Sequence, residues 1–149
     1  DSSPVLSRRR IRDRVRVLPL GIVEASLPPT TDTGWLEQLG LNEPFILFLG
    51  ALRYYKGLDT LLEAASERVT LVLAGGGPDL ARLRAKTTHA RRVVFTGPVS
   101  EAAKMTLLRA CRALVLPSHL RSEAYGMVLV EAAMCGKPMI TCEIGTGTS

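Results

Sequence analysis

The chain is poor in the residues that anchor many recognisable chemistries. It holds two histidines, His89 and His119, and three cysteines, Cys111, Cys135 and Cys142, and neither these nor the acidic residues fall at zinc-ligand spacing. No metal ligand and no cofactor is therefore expected, and neither a Ser-His-Asp nor a Cys-His arrangement is supported. Aromatic residues make up only 5% of the chain and are not interleaved with its basic residues, so single-stranded nucleic acid has no stacking platform. No apolar run approaches the roughly eighteen residues that span a bilayer, and no secretory signal opens the chain, which sets the expectation of a soluble globular protein. The odd number of cysteines, all in apolar surroundings, reads as reduced core residues in a cytoplasmic protein.

What is present fits one α/β domain: 149 residues, 46% of them hydrophobic, are enough for one core and too few for two of ordinary size. The net charge of +5 is local, because Arg8, Arg9, Arg10, Arg12, Arg14 and Arg16 fall within nine residues and leave the remainder close to neutral. Such a run is ordinarily a solvated face. Nucleic acid is not an expected partner, whereas a peripheral contact at the inner face of a membrane stays open. The chain opens at Asp1 without an initiator Met and stops in Gly145-Thr-Gly-Thr-Ser149, so it is expected to be one half of a longer protein.

Asp1 to Arg14 reads as a short polar helix, followed by a strand at Val15–Leu18 and a turn at Pro19-Leu-Gly21. Glu24 to Gly34 has no period and reads as loop, and Trp35–Leu39 as one or two helical turns. Pro44-Phe-Ile-Leu-Phe-Leu-Gly50 is unbroken apolar sequence, of the kind buried on both faces at the centre of a parallel sheet. Helices are expected at Leu58–Glu67, Pro78–Thr87, Glu101–Ala110 with Ser100 as N-cap, and Met127–Cys135 with Gly136 as C-cap. Strands are expected at Val69–Ala74, Arg92–Thr96, Ala113–Leu116 and Met139–Cys142. This alternation predicts a Rossmann-like parallel sheet with helices on both faces.

The most informative stretch is Ser118 to Pro138, reading S-H-L-R-S-E-A-Y-G-M-V-L-V-E-A-A-M-C-G-K-P. A strand, a loop and a helix meet there, with Glu123 in the loop and Glu131 inside an otherwise apolar helix. Glu123 alone reads as a carboxylate near a helix start, which suits the positive end of the helix. Glu131 has no Lys or Arg three or four positions away. It is either a charge on a solvated edge or a carboxylate meeting something polar in the crevice at the sheet's carboxyl end. Gly50-Ala-Leu-Arg-Tyr-Tyr-Lys56-Gly57 joins the central strand to its helix and outlines a phosphate site, with Lys56 adding a point charge. It is neither a P-loop nor a dinucleotide fingerprint.

Together, Glu123 and Glu131 with Ser122, Tyr125, Gly126 and Ala132 resemble the Glu-seven-residues-Glu signature of family 4 glycosyltransferases, retaining enzymes of the GT-B fold that use nucleotide sugars. The resemblance runs from about Val17 to the last residue. It implies that residues 1–16 are the tail of a preceding domain with its linker, and that residues 17–149 are the nucleotide-sugar-binding half of a GT-B enzyme. Gly50 to Gly57 is similar to the family's Gly-Arg-Leu-three-residues-Lys-Gly motif, in which Arg and Lys hold the donor diphosphate. Lys56 matches the lysine, while the arginine position is Ala51, and Arg53 lies two residues on. Gly75-Gly-Gly77-Pro78, the Phe-x-Gly stretch at Phe95–Gly97, Pro117-Ser118 and Gly145-Thr-Gly147 look like further family turns.

The resemblance implies a retaining hexosyl transfer in which Lys56 meets the leaving diphosphate and Glu123 the transferred sugar, as the catalytic pair. Donor binding would draw on Gly50, Arg53, Lys56, Glu123, Glu131 at the ribose, and the backbone of Tyr125, Gly126 and Met127. The wording is most similar to bacterial surface-polysaccharide mannosyltransferases, with GDP-mannose as the implied donor. The acceptor, a glycan or a lipid-linked sugar, would be held by the missing N-terminal half, so this chain alone is expected to transfer nothing. The competing readings are a nucleotide-binding module without transferase activity, for which Ala51 argues, and a basic interaction domain led by the arginine run.

Overall fold

Strand β1 (Phe45–Leu49) is apolar at every position, and Phe45, Leu47 and Phe48 are completely enclosed. In the computed structural model, which describes residues 34–87, 92–120, 123 and 126–145, this strand is the centre of a five-stranded parallel sheet. The expected helix at Asp1–Arg14, the strand at Val15–Leu18, the loop from Glu24, the boundary between residues 16 and 17, His89, Ser122, Tyr125 and Gly147 lie outside the described residues. Each enclosed large side chain of β1 contributes roughly 1.5 to 3 kcal/mol relative to exposure, which is why an unbroken apolar run belongs at the middle and not at an edge.

After helix α1 (Gly34–Gln38) and β1, the described chain runs α2 (Leu58–Ala64), β2 (Thr70–Ala74), α3 (Leu80–Lys86), β3 (Val93–Gly97), α4 (Glu101–Ala110), β4 (Ala113–Leu116), α5 (Met127–Met134) and β5 (Met139–Thr141). A 3₁₀ turn at Tyr54–Lys56 precedes α2. The strand order is β3-β2-β1-β4-β5, with Phe45 opposite Thr70 on one side of β1 and Ile46 opposite Ala113 on the other. Right-handed crossovers put α2 and α3 on one face of such a sheet and α4 and α5 on the other. Ion pairs bear this out: Arg82 on α3 clasps Asp59 on α2 with both nitrogens, at 2.7 and 2.9 Å, and Lys104 on α4 reaches Glu131 on α5. Hydrogen bonds from Arg82 and then Lys86 hold the Asp59 carboxyl well below the usual carboxylate range.

α5 ends one residue early, at Met134, and two helices fall further short of their sequence pattern. α2 stops at Ala64 rather than Glu67 because Ala65 turns extended and the Ser66 hydroxyl accepts the Arg68 N–H, drawing the backbone into a turn. α3 starts at Leu80 rather than Pro78: the chain first closes a tighter turn in which the Leu80 N–H bonds the Gly77 carbonyl at 3.2 Å, while the Asp79 N–H, one of the groups a helix start leaves without an internal acceptor, bonds the Leu52 carbonyl at 3.3 Å. The Ser100 cap forms as expected, accepting the Ala103 N–H at 3.2 Å, and Gly136 follows α5 at φ 65°. Cys111 is buried, and that burial pushes its thiol up to about 11.

The chain leaves β1 toward one face and β4 toward the other, so the crevice between the carboxyl ends of these neighbouring strands is the topological switch point. The loops there are drawn together by glycines that no other residue can replace. Gly57 has φ 67°, and a β-carbon on it would lie 2.0 Å from the Pro117 carbonyl oxygen that follows β4. A β-carbon on Gly75 would lie 2.0 Å from the Gly50 oxygen, so the loops after β1 and β2 are equally tight. Gly136 shares the left-handed backbone but has nothing within 4 Å. Gly136→Ala should therefore cost only the backbone term, about 1 to 2 kcal/mol, whereas Gly57→Ala should cost about 2 to 5 kcal/mol because overpacking adds to it. Urea unfolding of the two variants checks this, and equal losses would contradict the close approach.

Candidate functional site

The site is assembled from the ends of β1 and β4. Beyond β1, Leu52 is completely buried and donates its N–H to the Gly76 carbonyl at 2.8 Å, while its neighbours Ala51 and Arg53 are exposed. This alternation is that of extended backbone, so Ala51 and Arg53 share the solvent side. Arg53 makes no side-chain hydrogen bond or ion pair with the described residues. The 3₁₀ turn then closes through the Lys56 N–H on the Arg53 carbonyl at 3.0 Å and delivers the Lys56 side chain against the loop after β4.

There Lys56 forms an ion pair with Glu123, both side chains only 12% exposed. The buried hydroxyl of Ser118 donates to the same carboxylate oxygen at 3.0 Å, and the Lys56 ammonium also lies 5.4 Å from the centre of the Tyr55 ring. The backbone joins these loops as well, through the His119 N–H on the Tyr55 carbonyl at 3.1 Å. His119 itself is exposed. The two residues expected to do the chemistry are thus brought together, by a contact between residues 67 positions apart.

Helix α5 begins at Gly126, in the left-handed region at φ 56°, with no side chain capping its first N–H groups. α2 likewise begins at a left-handed glycine, Gly57, with no side-chain cap. Both helices flank the switch point, so their positive ends face the crevice and suit an anion. Met127 opens α5 and is partly exposed, and Glu131 lies one turn further on.

Glu131 has no basic partner on its own helix, which left a solvated edge or a polar ligand as its expected surroundings. In the fold, Lys104 on α4 donates to Glu131 Oε1 at 2.7 Å, and Lys104 also pairs with Glu101 at 2.6 Å. Burial on its own lowers the Lys104 pKa, but the hydrogen bonds it donates to Glu101 and Glu131 outweigh it and leave the value raised. Lys104 was overlooked because its partner lies on another helix, and a search three or four residues either way stays on one. Its only signal is a lysine in the first turn of α4, immediately before the buried run Met105-Thr-Leu-Leu108.

Among the described residues, no group of three or more His, Cys, Asp or Glu side chains is placed to hold a metal ion, and no helix is long and apolar enough to cross a membrane. A broad concavity of about 560 Å³ lies at the opposite, amino end of the strands, lined by Gly40, Asn42, Glu43, Glu67, Thr70 and Arg92. It contains the exposed Arg92–Glu43 pair and nothing resembling the cluster around Lys56.

The family model described as glycosyl transferases group 1 matches residues 35–148. The chain belongs to this family. Its similarity to the O-antigen chain mannosyltransferase C of Escherichia coli is 44% identity over 146 residues, covering 95% of this chain and 39% of that protein. With the D-rhamnosyltransferase WbpZ of Pseudomonas aeruginosa it is 46% over 147 residues, covering 95% and 38%. The chain thus spans about two fifths of the length of these relatives. Among solved structures, Anabaena HepE in complex with UDP and glucose superimposes with a TM-score of 0.64 at 26% identity, over 77% of this chain and 33% of that one. WaaG, a glycosyltransferase involved in lipopolysaccharide biosynthesis, matches with a TM-score of 0.70 at 24% identity, over 91% and 40%, and shows the shared fold. The Rossmann-like sheet expected of a GT-B glycosyltransferase half is therefore present.

Within this glycosyltransferase domain the Lys56–Glu123 pair should be energetically coupled. Lys56→Met leaves a largely buried carboxylate with the Ser118 hydroxyl as its one remaining described partner, at an expected cost of about 1 to 3 kcal/mol. The double variant Lys56→Met, Glu123→Gln should lose less than the sum of the single losses, by about 1 kcal/mol or more. A double-mutant cycle of unfolding free energies measures this, and strict additivity would show that the two side chains do not meet.

Proposed function

We propose that the chain is the donor-binding domain of a retaining glycosyltransferase, which moves a hexose from a nucleotide sugar to a glycan or lipid-linked acceptor. The observation that carries this reading is the meeting of Lys56, Glu123 and Ser118 at the carboxyl ends of β1 and β4, in a member of the group 1 family. GDP-mannose is the favoured donor, on the strength of 44% identity to an O-antigen mannosyltransferase.

In the transfer, the bond between the anomeric carbon and the diphosphate oxygen breaks, a bond to the acceptor oxygen forms, and the proton of the acceptor hydroxyl passes to the departing diphosphate. Negative charge grows on the departing diphosphate, and groups aimed at growing charge stabilise the transition state more than the ground state. Lys56 supplies such a charge, and the uncapped starts of α2 and α5 add their dipoles. Glu123 sits beside Lys56, where the sugar attached to the diphosphate would lie. Glu131 serves the ribose, while Gly50, Gly126 and Met127 approach the donor through backbone. No metal takes part in this scheme. The acceptor would be held by the preceding domain, and a lipid-linked acceptor would put the enzyme against the inner face of a membrane.

A second reading, a nucleotide-binding module without transfer, rests on Ala51, where the family signature carries arginine. Ala51 and Arg53 share one side of the extended loop, but their origins differ by two residues, roughly 6 to 7 Å. Arg53 therefore does not restore the missing clasp in place.

Calorimetric titration with nucleoside diphosphates and with the bare nucleosides tests the proposal. Lys56→Met should weaken diphosphate binding by on the order of 1.5 to 3 kcal/mol, as for a hydrogen bond to a charged group, and leave nucleoside binding unchanged. Ala51→Arg should tighten the diphosphate by about 1 to 2 kcal/mol. Chelator should leave both affinities as they are. Loss of nucleoside and diphosphate binding in equal measure would place the phosphates away from Lys56.

A further inference from the structure

Lys104 falls in the first turn of α4 and Glu131 one turn into α5, and both helices start from the carboxyl edge of the sheet that carries the crevice. Helical side chains lean toward the N-terminus of their helix, so both groups lean toward that edge rather than away from it. The ion pair, at 2.7 Å, uses Glu131 Oε1, and the two side chains are 16% and 17% exposed. Among the described residues nothing bonds Oε2, which is left as an acceptor. Lys104 is in turn steadied by Glu101 at 2.6 Å, one turn back on its own helix. The chain Glu101–Lys104–Glu131 thus joins a helix packed against β1 to the carboxylate proposed to meet the donor.

We infer that Lys104 is a positioning residue for ribose recognition: it fixes Glu131 Oε1 so that Oε2 is presented, already ordered, to the ribose hydroxyls of the nucleotide. This rests on the assignment of Glu131 to the ribose made above. The physical ground is preorganisation. A glutamate with three free torsions loses rotamer freedom when it captures a hydroxyl, and a partner that has already restrained it removes much of that cost. A carboxylate oxygen has two lone pairs, so an ammonium on one oxygen does not consume the acceptor capacity of the other.

A purely structural staple between α4 and α5 would change stability and nothing else. The discriminating readout is the ratio of affinities for a nucleoside diphosphate and its 2′,3′-dideoxy counterpart, measured with GDP and with UDP. Phosphate charge and base are common to both members of each pair, so the ratio isolates the hydroxyls. The wild-type chain is expected to favour the ribose form, and Glu131→Gln to shrink that preference. Lys104→Met should reduce the ratio by on the order of five- to tenfold, the worth of one hydrogen bond, with dideoxy affinity unchanged. Lys104→Arg should retain most of it, because the guanidinium can hold the same oxygen. Where Lys104→Met does not fold, Lys104→Gln keeps the apolar stem without the charge and should show the same loss. A folded Lys104→Met or Lys104→Gln that keeps the wild-type ratio, while Glu131→Gln loses it, overturns the role of Lys104 and leaves that of Glu131 standing. A wild-type ratio of one, or a ratio insensitive to Glu131→Gln, removes the ribose assignment and the inference with it.

Discussion

The site depends on how closely the loop after β1 can pass the loop after β4. A β-carbon on Gly57 would stand 2.0 Å from the Pro117 carbonyl oxygen, so these two segments touch only because residue 57 has no side chain. Lys56 precedes that contact and Ser118 follows it, and the ion pair to Glu123 forms across it. The same glycine starts α2 in left-handed backbone and releases the helix from its 3₁₀ turn. One residue therefore sets the separation of the loops, the direction of a helix and the reach of the basic side chain. The hydrophobic centre of the sheet fixes where β1 and β4 lie, and the glycines convert that rigid spacing into a narrow crevice.

Among the described residues two Lys–Glu pairs of low exposure link elements far apart in sequence: Lys56 with Glu123, and Lys104 with Glu131. Paired charges at low exposure limit the cost of desolvation, and a free lysine or glutamate in the same position would carry that cost alone. On the proposed reading, a diphosphate would offer Lys56 an exchange of one anionic partner for another and leave the Glu123 carboxylate to accept sugar hydroxyls.

Most of the architecture was legible because it depends on local pattern. The unbroken apolar run at Phe45–Leu49 could be satisfied only at the sheet centre, and Ser100 and Gly136 mark helix ends through chemistry that operates within a few residues. The errors share a cause, a competing local turn: the Ser66 hydroxyl accepts the Arg68 N–H past the end of α2, and the Leu80 N–H bonds the Gly77 carbonyl before α3. The site divides in the same way. Lys56, Glu123 and Glu131 became candidates by spacing, since spacing is a property of the chain. Lys104 and the hydroxyl of Ser118 make their contacts through space, and no period in the sequence links position 104 to 131 or 118 to 123.

The central claim is that Lys56 and Glu131 face one ligand, the first at its diphosphate and the second at its ribose. An experimental structure of the chain with a bound nucleoside diphosphate tests this most directly. The account predicts that Lys56 Nζ lies within about 3 Å of a phosphate oxygen and that a ribose hydroxyl donates to Glu131 at hydrogen-bond distance, with the Lys104–Glu131 pair preserved. A nucleotide seated elsewhere, with the Lys56–Glu123 pair intact and Glu131 touching only Lys104, would contradict it.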